Sequence, residues 1–264
     1  MSRPPARFRI ADAIDAEIEE PSDVVALPGG RFLVVGDLDR TATVIARGTR
    51  ATRVSLGSDP GESCFEAVAF DPAGRIFVVS EERRELEIFD FDPGSAVARR
   101  VASRTLAIGE GEKRKKEKKK GRNKGVEGMA WLPAALSPTG SAHLVLAKEA
   151  RPSMLVLLDT EGAGSPREIS LDPQIEDACD DFSGLAVDPT TGHLFLCSDE
   201  SATVAELELL SRGDEIHAQF IGATELRDPR GRSMERVEGV AIDEAGDLHV
   251  LLENDRELWR FART

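Results

Sequence analysis

The sequence predicts an all-β fold of repeated hairpins closed into a ring. Three observations predict it: a hairpin motif written five times, Pro/Gly turns at the same place in the copies, and an N-terminal strand that belongs to no copy. The motif reads Asp23-Val-Val-Ala-Leu, Glu66-Ala-Val-Ala-Phe, Glu127-Gly-Met-Ala-Trp, Ser183-Gly-Leu-Ala-Val and Glu238-Gly-Val-Ala-Ile. Each copy leads through a turn into an apolar strand that ends on a second acid, at Asp37, Glu81, Glu149, Asp199 and Glu253. Repeats spaced by roughly 40 to 60 residues mark units that cannot bury their apolar faces alone and must pack on neighbours.

The elements follow in order within each copy. Pro28-Gly-Gly30, Asp71-Pro-Ala-Gly74, Asp188-Pro-Thr-Thr-Gly192 and Asp243-Glu-Ala-Gly246 supply turns, Pro by fixing φ and Gly by reaching positive φ. Third strands are expected at Thr43 to Ala46, Leu86 to Phe91, Met154 to Asp159, Thr203 to Leu209 and Glu257 to Phe261. More polar fourth strands are expected at Arg53 to Leu56, Arg167 to Leu171 and Gln219 to Thr224. The last copy has no room for a fourth strand before Thr264. Arg7-Phe-Arg-Ile-Ala-Asp12 begins with the alternation of a half-exposed strand and is expected to pair beside Glu257 to Phe261, removing an open sheet edge. Five repeats and this closure predict a five-bladed β-propeller over residues 1–264, a single domain with a Lys-rich loop insertion at about 110–125. A six-bladed alternative needs a blade between Gly109 and Gly125, where the chain is charged and rich in lysine.

Composition narrows the function. Hydrophobic residues make up 41 % of the chain, and no apolar run approaches the 18 or so residues of a membrane span. No secretory signal is visible at the N-terminus, so the cytoplasm is the expected compartment and a monomer the expected state. Cys64, Cys179 and Cys197 are an odd number without metal-ligand spacing, which argues against a disulfide framework. A formal net charge of −14 disfavours nucleic acid as a partner of the body of the protein. The Lys-rich stretch from Glu112 to Gly125 reads as a solvated insertion, or as an arm for an anionic partner or a flap over the acidic mouth.

In a propeller blade the start of the first strand and the end of the second lie at one face. The repeated acids occupy those places, which predicts an inner ring of Asp23, Glu66, Glu127, Ser183 and Glu238 and a second ring of Asp37, Glu81, Glu149, Asp199 and Glu253. Two unit charges about 8 Å apart repel by about 2 kcal/mol at an effective dielectric near 20, so something must offset the rings. A hard cation such as Ca²⁺ takes six to eight oxygen ligands; carboxylates sharing a site raise one another's pKa values and so favour protonation; and Arg83, Arg84, Arg151 and Arg256 follow the second-ring acids closely enough to pair. The structural alternative has each acid accepting backbone N–H groups of the neighbouring blade.

A family resemblance adds to this reading. Ser183-Gly-Leu-Ala-Val-Asp188 with Gly192 to Asp199, Lys124-Gly-Val-Glu-Gly-Met-Ala130 with Ala147 to Pro152, and Val237-Glu-Gly-Val-Ala-Ile-Asp243 resemble the SdiA-regulated family of bacterial propellers. More distantly they resemble esterase-like phytase-type propellers. The resemblance runs from about Glu20 to Phe261 and implies a five-bladed propeller with calcium in its central region, held by Glu66, Glu127 and Glu238 with Asp23 at the matching place.

A nucleophile and base are not apparent. His143, His193, His217 and His249 fall at strand starts or inside strands, away from the acids, and no Gly-x-Ser-x-Gly elbow opens a helix. Ser183 has only carboxylates near it in sequence, Asp180 and Asp181, which read as a solvated loop. Two functions remain: a calcium-stiffened binding module whose mouth holds a small ligand or a protein, and a calcium-dependent ester or phosphoester hydrolase. Trp131 and Trp259 are expected between blades.

Overall fold

The structure, a computed structural model, describes residues 5–38, 40–57, 65–80, 85–106, 108, 125–149, 153–160 and 165–264. Cys64, Glu81, Arg83, Arg84, Arg151 and the Lys-rich stretch up to Lys124 lie outside the described residues. After β1 (Phe8–Asp15), four-stranded antiparallel units follow one another. The first holds β2 (Pro21–Leu27), β3 (Arg31–Gly36), β4 (Thr41–Ala46) and β5 (Thr52–Ser55); the second holds β6 (Phe65–Phe70), β7 (Arg75–Ser80), β8 (Glu85–Asp90) and β9 (Arg99–Thr105). The third holds β10 (Val126–Leu132), β11 (His143–Lys148), β12 (Met154–Asp159) and β13 (Arg167–Leu171). A short helix, α1 (Pro173–Ala178), leads to the fourth, with β14 (Gly184–Val187), β15 (Leu194–Ser198), β16 (Thr203–Arg212) and β17 (Glu215–Glu225). In the last unit β18 (Val237–Ile242), β19 (Leu248–Leu252) and β20 (Glu257–Arg263) are completed by β1.

The N-terminal strand pairs where the alternation placed it. β1 runs antiparallel to β20 with Phe8 opposite Arg263, Ile10 opposite Phe261 and Asp15 opposite Glu257. The third and fourth units share one eight-stranded sheet, because β13 and β17 pair in parallel through Ser170 and Leu171. The hairpin turns follow their side chains: the Oδ1 atoms of Asp71, Asp188 and Asp243 accept backbone N–H groups of Arg75, Thr190 and Ala245 at 2.8 to 2.9 Å, with Gly74, Gly192 and Gly246 at positive φ.

Apolar side chains gather in the seams between units. Leu33, Val35 and Val54 meet Phe65, Ile76 and Phe89 across the first seam, and Ala69, Phe77 and Val79 meet Met129, Leu144 and Leu146 across the second. The third joins Val145 and Leu157 to Leu185 and Leu196, the fourth joins Phe195 and Cys197 to Val240 and Val250, and the fifth joins Leu251 and Leu258 to Phe32 and Val34. Each unit thus buries its faces only against its neighbours, the behaviour of a repeat that cannot stand alone. One buried ion pair also crosses the first seam: Arg40 Nη2 lies 2.6 Å from Glu87 Oε2, with Arg100 Nη1 at 3.1 Å from the same oxygen.

Two elements were not legible in the sequence. β9 is exposed along most of its length, so it carries no apolar alternation. Helix α1 is signalled only locally, by Asp172, whose side chain accepts the Gln174 N–H, and by Pro173 in its first turn. Among the described residues no helix is long and apolar enough to cross a membrane.

Candidate functional site

The first strand of three units carries a β-bulge where the repeated acid stands. Register slips between Phe65 and Ala67, between Val126 and Gly128, and between Val237 and Gly239 leave Glu66, Glu127 and Glu238 as the extra residues. A bulge re-aims a side chain out of the ladder, which explains why an acid is tolerated at the start of an otherwise apolar strand. In the fourth unit Gly184 opposite Cys197 puts Ser183 at the same place, and the Ser183 N–H reaches the Cys197 carbonyl at 3.0 Å.

The first unit departs from the expected alignment by one residue. Its slip falls between Pro21 and Asp23, so Ser22 takes the bulged place and Asp23 aligns with Ala67, Gly128 and Gly239. The cause is a shorter spacing between the two acids: thirteen residues separate Asp23 from Asp37, against fourteen between Glu66 and Glu81, while the turns themselves pair alike. A one-residue slip moves a side chain to the other face of a strand. Asp23 is accordingly fully buried, with Oδ1 accepting the Val24 N–H and Oδ2 accepting the Val68 N–H of the next unit, both at 2.8 Å. Its role is the structural one weighed for the whole ring, a staple between the first strands of two units. The equivalent places are therefore held by Ser22, Glu66, Glu127 and Glu238, each on a bulge, and by Ser183 just ahead of β14.

Glycines behind this ring draw the first strands together. A Cβ on Gly128 would lie 2.7 Å from the Gly184 carbonyl carbon, one on Gly184 3.0 Å from Gly239 Cα, and one on Gly239 3.0 Å from Asp23 Cα. The Glu-Gly pairs of the motif thus combine a re-aimed acid with the close approach of the next strand.

Of the second-ring acids, the described Asp37, Glu149, Asp199 and Glu253 each follow directly on the end of a second strand. The N–H groups of Asp37, Glu149 and Glu253 donate to the carbonyls of Glu20, Gly125 and Arg236 at 3.0 to 3.3 Å, closing the hairpin in three units. Their side chains differ. Asp37 Oδ1 accepts from Ser22 Oγ at 2.7 Å, and Asp199 Oδ1 accepts the Val237 N–H of the next unit at 3.0 Å. Arg236 Nη2 lies 2.5 Å from Glu253 Oε2, an ion contact without the alignment of a hydrogen bond. Arg256 instead approaches Glu19, at 3.9 Å.

Electrostatics join these acids. Burial, then the charges of Glu253, Asp199 and Glu127, push the Glu238 carboxyl up to about 8, against an opposing pull from Arg236. Burial raises Asp37 despite the Ser22 hydrogen bond, with Glu20 and Glu253 adding to the rise. Burial also raises Asp23 well above the usual carboxylate range, outweighing its two backbone hydrogen bonds, and Glu127 adds to it. Among the described residues, no three His, Cys, Asp or Glu side chains converge as a ready-made metal cage.

The raised carboxyl fixes a pH dependence. Glu238 binds its proton up to about pH 8 in the fold but only to about 4.5 when unperturbed. The folded state therefore holds the extra proton between these values, and stability falls as pH rises through that window. Glu238→Gln is expected to be more stable than the parent at pH 9, by on the order of a few kcal/mol, with the difference vanishing by pH 5. Urea midpoints at both pH values check this.

Ser183 is buried, and its Oγ lies 3.5 Å from Cys197 Sγ, a thiol that burial pushes well above its ordinary value. A protonated thiol is no general base. Asp181, expected in a solvated loop, is buried: its Oδ1 accepts from Ser198 Oγ and from the Glu200 N–H. Only Asp180, bonded to Ser201, fits the solvated reading. The histidines are engaged away from the acids, His193 with Glu206, His249 with Asp243, His143 with Thr139 and His217 with Ser170. Trp131 packs at the second seam and Trp259 at the fourth. Two clefts flank the turn after β19 at the same end of the molecule. One, of about 690 Å³, is floored by Met234, Leu252 and Trp259; the other, of about 470 Å³, lies between Ile18, Leu38 and Arg256.

Four-stranded antiparallel units, joined through their seams and completed by the N-terminal strand, make this chain a β-propeller. The SdiA-regulated family matches residues 97–258, more than half of the chain, and the chain belongs to that family. The PQQ-bound aldose sugar dehydrogenase of Streptomyces coelicolor is similar in structure, with a TM-score of 0.59 at 13 % identity over 99 % of this chain and 100 % of that one. A streptogramin B lyase has a TM-score of 0.53 at 8 % identity over 97 % of this chain and 98 % of that one. At these identities the likeness is one of fold alone. No curated protein matches the sequence.

Proposed function

We propose that this chain is a five-bladed propeller serving as a binding module, which takes calcium at an acidic mouth and, around it, a small ligand or a protein partner. The blade count is supported by the first strands β2, β6, β10, β14 and β18, each of which contacts the next, with β18 returning to β2. The observation that carries the binding reading is the Glu238 carboxyl, driven to about 8 by burial and by three neighbouring carboxylates. A cation there would let Glu238 give up its proton and would offset the charges of Glu253, Asp199 and Glu127, which Arg236 opposes only in part.

The donor set fits calcium, a hard ion that binds carboxylate and hydroxyl oxygens in irregular cages. Glu66, Glu127 and Glu238, on bulges at equivalent places, would hold it, with the glutamate side chains turning inward; Asp23 would brace the ring from behind. Bound calcium would cancel the repulsion among the acids and stiffen the mouth. The cleft floored by Met234, Leu252 and Trp259 offers apolar surface for a ligand, and the other, lined by Asp15, Glu17, Glu19, Arg53 and Arg256, offers mainly charged groups. The hydrolase alternative gains no support at Ser183, whose hydroxyl faces a protonated thiol.

Thermal unfolding tests the reading. An ion at 100 times its Kd stabilises the folded state by about 2.7 kcal/mol, which raises Tm by several degrees in a protein of this size. The parent is expected to show this rise on going from chelator to millimolar calcium, and Glu66→Gln/Glu238→Gln to lose most of it. Equal Tm values with and without calcium in the parent would remove the metal from the account.

A further inference from the structure

The residues ahead of β1, together with its first residue, reach beyond their own sheet. Pro5, Ala6 and Phe8 lie across the seam on the fourth unit, at the end of the molecule opposite the acids. The Ala6 N–H donates to Glu206 Oε2 on β16 at 2.6 Å, and the other oxygen of that buried carboxylate lies 2.7 Å from His193 Nδ1. Pro5 sits on β17 so closely that a Cβ on Gly222 would come within 2.8 Å of it. The Phe8 ring meets the Phe195 ring edge to face at 5.7 Å. The Arg263 guanidinium stands 5.5 and 5.9 Å from the two rings, and its Nη2 donates to the buried Asp188 at 2.8 Å.

Apart from the His193–Glu206 contact inside the fourth unit, these contacts tie the last unit to the fourth, and they share one apolar seam. Phe195, Cys197, Val237, Val240 and Phe261 form its core, with Ala6 and Phe8 packed on that core from the outside. At its far end, about 16 Å away along the five residues of β15, the Val237 N–H donates to Asp199. Asp199 is one of the charges acting on Glu238. Packed seams move as units rather than deforming smoothly, so a change at one end reaches the other.

We infer that Pro5–Phe8 is a strap that clamps the last unit to the fourth, and that its docking sets how firmly the mouth end of that seam is closed. The inference stands whether or not the mouth takes calcium. A strap of this kind gives a partner or a proteolytic cut at the N-terminus a means of loosening the acid-bearing end.

Amide hydrogen exchange tests it on the parent, on a form lacking residues 2–7, and on Gly222→Val, which crowds Pro5 without replacing any residue of an ion pair. The Val237 N–H reports the strapped seam, and the Val68 N–H, bonded to Asp23 across the first seam, is the control. The expected result is exchange at Val237 about tenfold faster in both altered forms, with Val68 unchanged. Unchanged Val237 exchange in Gly222→Val, or equal acceleration at Val68, overturns the inference, the second because it marks a general loss of stability. Should the shortened form not fold, Gly222→Val decides alone.

Discussion

Gly128→Ala is expected to destabilise the protein by about 3 kcal/mol, at the upper end of what overpacking a tight interior produces. The added carbon would fall 2.7 Å from both the Gly184 carbonyl carbon and the Leu185 nitrogen, and 2.8 Å from Gly184 Cα. All three are backbone atoms of the next first strand, so no flexible side chain can swing away. Relief requires β10 and β14 to part, and the displacement is passed on because Gly184 in turn abuts Gly239, and Gly239 abuts Asp23. The same register position tolerates a side chain elsewhere, with Asp23 and Ala67 buried in the first two units. Urea unfolding of Gly128→Ala beside Ala67→Gly checks the contrast: the first is expected to lower the midpoint strongly, the second to lose about 1 kcal/mol from strand entropy. A neutral Gly128→Ala would mean that the first strands are not in contact as described.

Glu87→Ala is expected to be similarly severe, at about 3 to 5 kcal/mol, because it strands a buried guanidinium. Arg40 lies over the Phe65 ring at 5.2 Å and donates to the Leu56 carbonyl, with both of its terminal nitrogens on Glu87. Burial raises the Glu87 carboxyl, but the hydrogen bonds and charges of Arg40 and Arg100 outweigh that and hold it below its ordinary value. The partners are not equivalent. Arg40→Met removes the buried cation and leaves Glu87 with Arg100, so it should cost less than Glu87→Ala. Chemical denaturation of both variants, and of the double variant Arg40→Met/Glu87→Leu, measures the asymmetry. A milder effect in Glu87→Ala than in Arg40→Met would reverse the assignment of Arg40 as the dependent partner.

Repetition made much of the fold legible. The hairpins, their Asp/Gly turns and the closing strand at the N-terminus all follow from residues that recur at fixed places, and β1 pairs with β20 beside the predicted residues. The site was legible only in part. Glu66, Glu127 and Glu238 stand at equivalent bulges, but a bulge has no composition of its own and was not anticipated. Asp23 was misaligned because Val24 and Val25 are both apolar, so the strand reads equally well in either register; only the spacing from Asp23 to Asp37, one residue shorter than that from Glu66 to Glu81, decides between them. Ser22, the residue that fills the ring place, carries no signal in the sequence. Asp181 was misread as solvated because Asp180 beside it is exposed, and adjacent residues of an irregular segment can face opposite ways. Arg236, which stands beside Glu253, is distant from it in sequence and lies outside the repeated motif.

Binding of a cation by the acidic mouth is the central claim, and calorimetric titration of calcium into chelator-stripped protein tests it most directly. One saturable site in the parent, with affinity at least tenfold lower in Glu66→Gln/Glu238→Gln, is the predicted result. No saturable heat up to millimolar calcium, or equal affinity in parent and double variant, would contradict it and leave the acids as hairpin closures and staples between units.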